Sequence, residues 1–155
     1  MPPRPRSMAI DPGERRWGVA VSDEDDEMAL PRPVLTPASE AEGLATIASI
    51  VREESVAVIV LGLPLELSGR EGPAAKKARA LGARMASVLG RPVAMWDERL
   101  TSVAASRAMS AGGLSQKKQR GKVDSIAAAI LLGAYLEASA AVRERAIAYR
   151  PEASP

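Results

Sequence analysis

Ser7-Met-Ala-Ile-Asp-Pro-Gly-Glu-Arg-Arg-Trp-Gly-Val-Ala-Val-Ser-Asp23 is the stretch whose reading decides the fold. The apolar run Met8–Ile10 ends in a carboxylate, Asp11. Pro12-Gly13 follows, a strong turn signal, because proline presets φ and glycine admits positive φ. Trp17–Ser22 then reads as a second strand, so the segment is a β-hairpin with Asp11 where the first strand leaves the sheet. Side chains alternate along a strand, which puts Asp11 on one face with Ala9 and Ser7, both small. An Asp closing its own turn is the plain alternative.

Outward from the hairpin, composition sets the bounds. The 155 residues suit one domain with a sizeable core. Phenylalanine is absent, so the core is built from Val, Ile, Leu, Ala and Met. Cysteine and histidine are also absent, which removes disulfides, thiolate zinc sites and imidazole bases. Any metal is then held by oxygen, which favours Mg²⁺ or Mn²⁺ over zinc. No apolar run is long enough to span a bilayer, and Met1–Ser7 has no apolar signal core, so a cytoplasmic location is expected.

Net charge is only +2, yet it is unevenly spread. Residues 23–66 carry ten acidic and two basic side chains, a net of −8, whereas 70–122 carry twelve basic and three acidic, a net of +9. That asymmetry points to a surface facing a polyanion, although folding can also mix the two signs.

Along the chain, residues 1–6 read as a flexible basic arm and residues 7–141 as the domain. Residues 142–155 read as a mobile tail. The prolines at 31 and 33 confine the third strand to a short piece near Val34-Leu35. Ser39 and Glu42 have capping-box spacing before a helix whose apolar stripe is Leu44, Ile47 and Val51. Val56–Leu61 is a continuous apolar run, the pattern of a strand buried on both faces. Pro73 opens a second helix that Gly90-Arg91-Pro92 ends. Val93–Trp96 is a further strand and runs into Asp97-Glu98-Arg99.

Thr101 can cap a short helix to about Met109. A basic loop to Lys122 follows. An Ala-rich helix then runs from Val123, with Asp124 in its first turn and Ile126, Ile130, Leu131 and Ala134 as its core stripe. The order is β-β-β-α-β-α-β-α-α, an α/β fold with a five-stranded mixed sheet and helices on both faces.

In such a sheet, if the first and last strands lie near each other, Asp11 and Glu98 emerge at one rim, and the last helix can bring Asp124 over it. Carboxylates so placed repel unless cations sit among them. Hard divalent ions suit the arrangement, and two of them about 3.5–4 Å apart can clamp a phosphate. Each acid alone has an ordinary structural reading, Glu98 beside a helix start and Asp124 complementing a helix dipole. Arg15 and Arg16 can grip phosphate or lie in solvent. Lys117, Lys118, Arg120 and Lys122 are phosphate-contact candidates. Trp96, in a strand, reads as core.

Four segments together resemble the YqgF (RuvX) family of pre-16S rRNA nucleases, once described as Holliday-junction-resolvase-like. They are Ile10–Asp23, Gly62-Leu-Pro-Leu65 with Ser68-Gly-Arg-Glu-Gly-Pro73, Asp97-Glu-Arg-Leu-Thr101, and Lys122-Val-Asp-Ser-Ile-Ala-Ala-Ala-Ile-Leu-Leu132. The resemblance implies an RNase H-like fold, a metal-dependent nuclease site and a part in maturing the 5′ end of the small-subunit rRNA precursor. It assigns Asp11, Glu98 and Asp124 as metal ligands, with Asp97 an uncertain neighbour. Pro12 and Trp17 depart from the residues usual there, as does Ser68, often Asp in the family. RNA is the expected partner. A DNA junction resolvase, which would need a homodimer, and a non-catalytic ribosome-assembly module are the rival expectations.

Overall fold

The computed structural model describes residues 5–101 and 116–152, and of 116–124 the backbone alone. Six strands form one sheet: β1 (Arg6–Pro12), β2 (Trp17–Ser22), β3 (Ala29–Pro31), β4 (Val56–Leu63), β5 (Val93–Asp97) and β6 (Ile147–Tyr149), in the order β3-β2-β1-β4-β5-β6. β1, β4 and β5 run parallel, and β2, β3 and β6 pair antiparallel. Among the described residues the helices that pack on the sheet are α1 (Glu40–Glu53), α2 (Pro73–Leu89), α3 (Gln116–Glu137) and α4 (Ala140–Ala146).

Strand alternation divides the core into two layers. Met8, Ile10, Val19, Val21, Ile59, Leu61, Val93 and Met95 point to one face, where they pack with Leu44, Ile47 and Val51 of α1 and Met85 and Leu89 of α2. Ala9, Ala20, Val60, Ala94 and Trp96 point to the other, against α3. The second face is mostly alanine, so it is flat, and Ala128, Leu131, Leu132, Tyr135 and Leu136 of α3 settle directly on it. The α3 stripe is therefore shifted from the expected one: Leu131 is in it, but Ile126 and Ile130 are only half-buried. Trp96 is core, edge-on to Tyr135 at 5.6 Å between ring centres.

Local signals fix most boundaries. Ser39 caps α1 by accepting from the Glu42 N–H at 3.1 Å. α2 starts on Pro73 and ends on Gly90, whose φ of 64° is the left-handed conformation that glycine favours. In the hairpin, Gly13 N–H donates to the Arg16 carbonyl at 2.8 Å. A Cβ at Gly13 would lie 2.6 Å from that same oxygen, so the close approach requires glycine.

Four expectations are corrected. The third strand is Ala29–Pro31, not Val34-Leu35; Leu35 makes an isolated bridge to Trp17. Pro31 is tolerated because this is the sheet edge, where a missing N–H goes unnoticed. The sheet has a sixth strand, Ile147–Tyr149, drawn from the stretch read as a tail. The last long helix already includes Gln116 rather than starting at Val123, because Lys, Gln and Arg are good helix formers. Lys117, Lys118, Arg120 and Lys122 are thus helical rather than in a loop, and Asp124 is well past the first turn. The short helix expected from Thr101 to Met109 lies outside the described residues beyond its first residue.

Candidate active site

The parallel strands β1, β4 and β5 all finish at one rim. Asp11 is the penultimate residue of β1, Leu63 ends β4, and Glu98 follows the last residue of β5. β4 lies between the two acid-bearing strands, so the carboxylates must meet across it. Gly62 permits that. A Cβ there would sit 2.9 Å from both Cδ and Cγ of Glu98 and would collide with its Oε1. The Glu98 side chain occupies the space that any other residue at 62 would fill.

The backbone of Glu98 is fixed from three sides. Its N–H donates to Leu63 O at 3.2 Å, and its carbonyl accepts from the Thr101 N–H at 3.0 Å and the Thr101 hydroxyl at 2.9 Å. Asp11 and Glu98 both line a cavity of about 630 Å³, together with Glu14, Trp17, Gly62 and Lys77. Burial, then the neighbouring Asp11 and Asp97 carboxylates, push the Glu98 carboxyl above its ordinary value. This is the electrostatic state of a site that gains from a cation. Its donors are all oxygen, which fits Mg²⁺ or Mn²⁺.

Asp97 behaves differently. Arg99 holds it through a backbone N–H at 2.9 Å and through Nη2 at 2.8 Å, and this hydrogen bonding lowers its carboxyl below the usual range. The same guanidinium donates to Leu67 O at 3.3 Å. Asp97 and Arg99 thereby tie the end of β5 to the loop after β4.

Of the residues expected at the site, Asp11 and Glu98 are brought together. Arg15 and Arg16 are exposed on the hairpin loop, outside the cavity lining. Asp124 is placed on α3 by its backbone, and the side chains of Asp124, Lys117, Lys118, Arg120 and Lys122 lie outside the described residues. Among the described residues no group of three metal-ligating side chains forms. Residue-by-residue reading missed Glu14, Trp17, Glu40, Lys77 and Arg84 in the lining. The signal for Lys77 was available: Ala74, Lys77, Ala78 and Leu81 recur at i, i+3, i+4 and i+7, one face of α2.

Trp17 explains another glycine. A Cβ at Gly43 of α1 would lie 2.8–2.9 Å from the Trp17 ring, so the bulky indole at the head of β2 is matched by a missing side chain opposite.

A mixed sheet in this order, flanked by helices and carrying acids at the ends of its parallel strands, is the RNase H-like α/β fold. T. thermophilus RuvC, solved in complex with a Holliday junction substrate, superposes with a TM-score of 0.50 at 16% identity, covering 83% of this chain and 92% of that one. The chain belongs to the RuvX family, described as Holliday junction resolvase, which matches residues 5–138. It is 42% identical over 132 residues to a protein of Anaeromyxobacter dehalogenans named "Putative pre-16S rRNA nuclease", covering 85% of this chain and 96% of that one. Proteins given the same name in Chloroflexus aurantiacus (40%, covering 84% and 86%) and Acidiphilium cryptum (39%, covering 88% and 87%) are similarly related. Among the described residues no helix is long and apolar enough to cross a membrane.

Proposed function

We propose that this chain is a divalent-metal-dependent nuclease that hydrolyses phosphodiester bonds and matures the 5′ end of precursor 16S rRNA in the cytoplasm. The observation that carries the reading is Glu98 lying over Gly62 at the rim of the parallel strands, in a cavity that Asp11 also lines and near enough to it for the Asp11 charge to raise the Glu98 carboxyl. Two carboxylates facing an incoming phosphate would oppose binding, so the pair makes sense only with a cation. Family membership and the relatives' name support RNA as the substrate.

Asp11 and Glu98, joined by Asp124 from α3, are the residues to hold Mg²⁺ or Mn²⁺. Such ions, when bound, supply water activation and charge neutralisation at the scissile phosphate. The chain's own part is orientation. Glu98 is held rigidly by its backbone bonds to Leu63 and Thr101, and Asp11 by its place in β1. Lys117, Lys118, Arg120 and Lys122 hold the nucleic-acid backbone through charge, and Arg15 and Arg16 extend that contact from the hairpin.

The test is cleavage of a labelled rRNA-precursor fragment, with and without Mn²⁺. Asp11→Asn should abolish cutting and leave RNA binding measurable. Normal cutting by the variant refutes the assignment. The family's description as a resolvase favours one second reading, cleavage of branched DNA by a homodimer. A four-way DNA junction beside the RNA substrate decides between them.

A further inference from the structure

The cavity that holds Asp11 and Glu98 does not stop at the acids. It continues between α1 and α2, lined by Ser39 and Glu40 on one side and by Lys77, Ala78, Leu81 and Arg84 on the other. With a rise of 1.5 Å per residue, Lys77 and Arg84 stand about 10 Å apart along the α2 axis.

The charges in this cleft are unequal in availability. Arg84 is consumed by Glu40, donating to its two carboxylate oxygens at 2.6 and 3.0 Å. Lys77 is exposed and lines the cleft nearer the N-terminus of α2. Among the described residues the ion pairs are made by other cations. Lys77 is therefore a cation left to meet an anion arriving from outside. Beside it the lining is apolar, from Ala78, Leu81 and Trp17. The remaining charges, Asp11, Glu14 and Glu98, are acidic.

A cation next to an apolar recess is the chemistry of one phosphate with its base. We propose that Lys77 contacts a backbone phosphate of single-stranded RNA, and that the α1–α2 cleft takes the unpaired nucleotide adjoining the cleaved bond. The whole cavity, acid end and cleft together, has a volume of about 630 Å³, within the range of small-molecule sites, about 300–1,000 Å³. A duplex keeps its bases stacked and paired, so it has no free base to offer such a recess, whereas a single strand does. The proposal deepens the nuclease reading and rests on it for the choice of ligand.

The experiment measures binding in Ca²⁺, without cleavage, by fluorescence anisotropy of a labelled single-stranded RNA and of the matching RNA duplex over a salt series. Lys77→Ala should weaken single-strand binding about five- to ten-fold and reduce the slope of log affinity against log salt by about 0.7. Lys77→Arg should restore both. Lys76→Ala removes the same charge one residue away, at an exposed position that does not line the cleft, and should stay close to wild type. Duplex binding should be indifferent to Lys77. Equal losses for Lys76→Ala and Lys77→Ala, an equal loss on the duplex, or no loss at all overturns the proposal. Wild-type protein that binds as expected but never cuts with Mg²⁺ or Mn²⁺ refutes the nuclease reading and leaves Lys77 in place. A Lys77→Ala variant that binds and cuts like wild type does the reverse.

Discussion

Gly62→Ala is the substitution that separates the site from the scaffold. The new methyl carbon would lie 2.9 Å from Cδ and Cγ of Glu98, where carbon atoms prefer about 3.5–4.0 Å. The Glu98 carboxylate must therefore retreat by about 0.6–1 Å, away from the position where it faces Asp11. A misplacement of about 1 Å at a reacting centre can cost about 100-fold in rate, which is the loss expected in cleavage of the precursor fragment. Stability should respond far less. Overpacking a rigid core costs about 1–3 kcal/mol, and here a half-exposed side chain can swing aside, so the lower end applies. In a chain of this size about 1 kcal/mol lowers Tm by about 2–4 °C. The assay pairs a cleavage time course with a melting curve on the same preparation. A Gly62→Ala protein that retains full activity would show that Glu98 need not lie over β4, and the account of the acid pair would fall with it.

Glu98→Gln should raise Tm at pH 7 in EDTA. The Glu98 carboxyl is raised in the folded protein, so ionisation favours the unfolded chain as pH climbs from the ordinary carboxyl value of 4.5 through the folded value. The advantage of the variant should therefore vanish in melts run below pH 4.5, and an advantage equally large there would contradict the cause. Gly43→Ala should cost about 1–3 kcal/mol by driving a methyl into the Trp17 ring, and Trp17→Val should recover part of it in a denaturant double-mutant cycle. Leu132→Ala, fully buried under the sheet, should cost about 2–5 kcal/mol in the same measurement, and a smaller loss would mean that α3 collapses into the gap. Arg99→Ala frees both Asp97 and the Leu67 carbonyl, so amide exchange in the 64–70 loop should accelerate more than exchange in β4.

What was legible in the chain followed the strength of local chemistry. The hairpin, α1, β4 and α2 announced themselves through Pro12-Gly13, Ser39, an unbroken apolar run, and the pairing of Pro73 with Gly90. Where tertiary partners decide, the reading slipped. β3 pairs where β2 offers a partner, at Val21↔Leu30, and nothing between Met28 and Leu35 distinguishes that register. The charge of Lys117–Lys122 reads as a loop, but the helix propensity of Lys, Gln and Arg prevails there. At the site, the strand ends of Asp11 and Glu98 could be anticipated, but their meeting depends on Gly62. That glycine carries no chemistry of its own and is informative only once β4 is known to lie between them.

β6 has a consequence for how copies of this chain behave towards one another. Its pairing through Tyr149 and Ile147 covers the outer side of β5, satisfying backbone donors and acceptors that would otherwise face water. Removing the residues from 147 onward would bare a flat, Val- and Ala-containing border, a template on which strands of neighbouring molecules can add. Trimming that end should thus promote edge-to-edge clumping of the shortened chain.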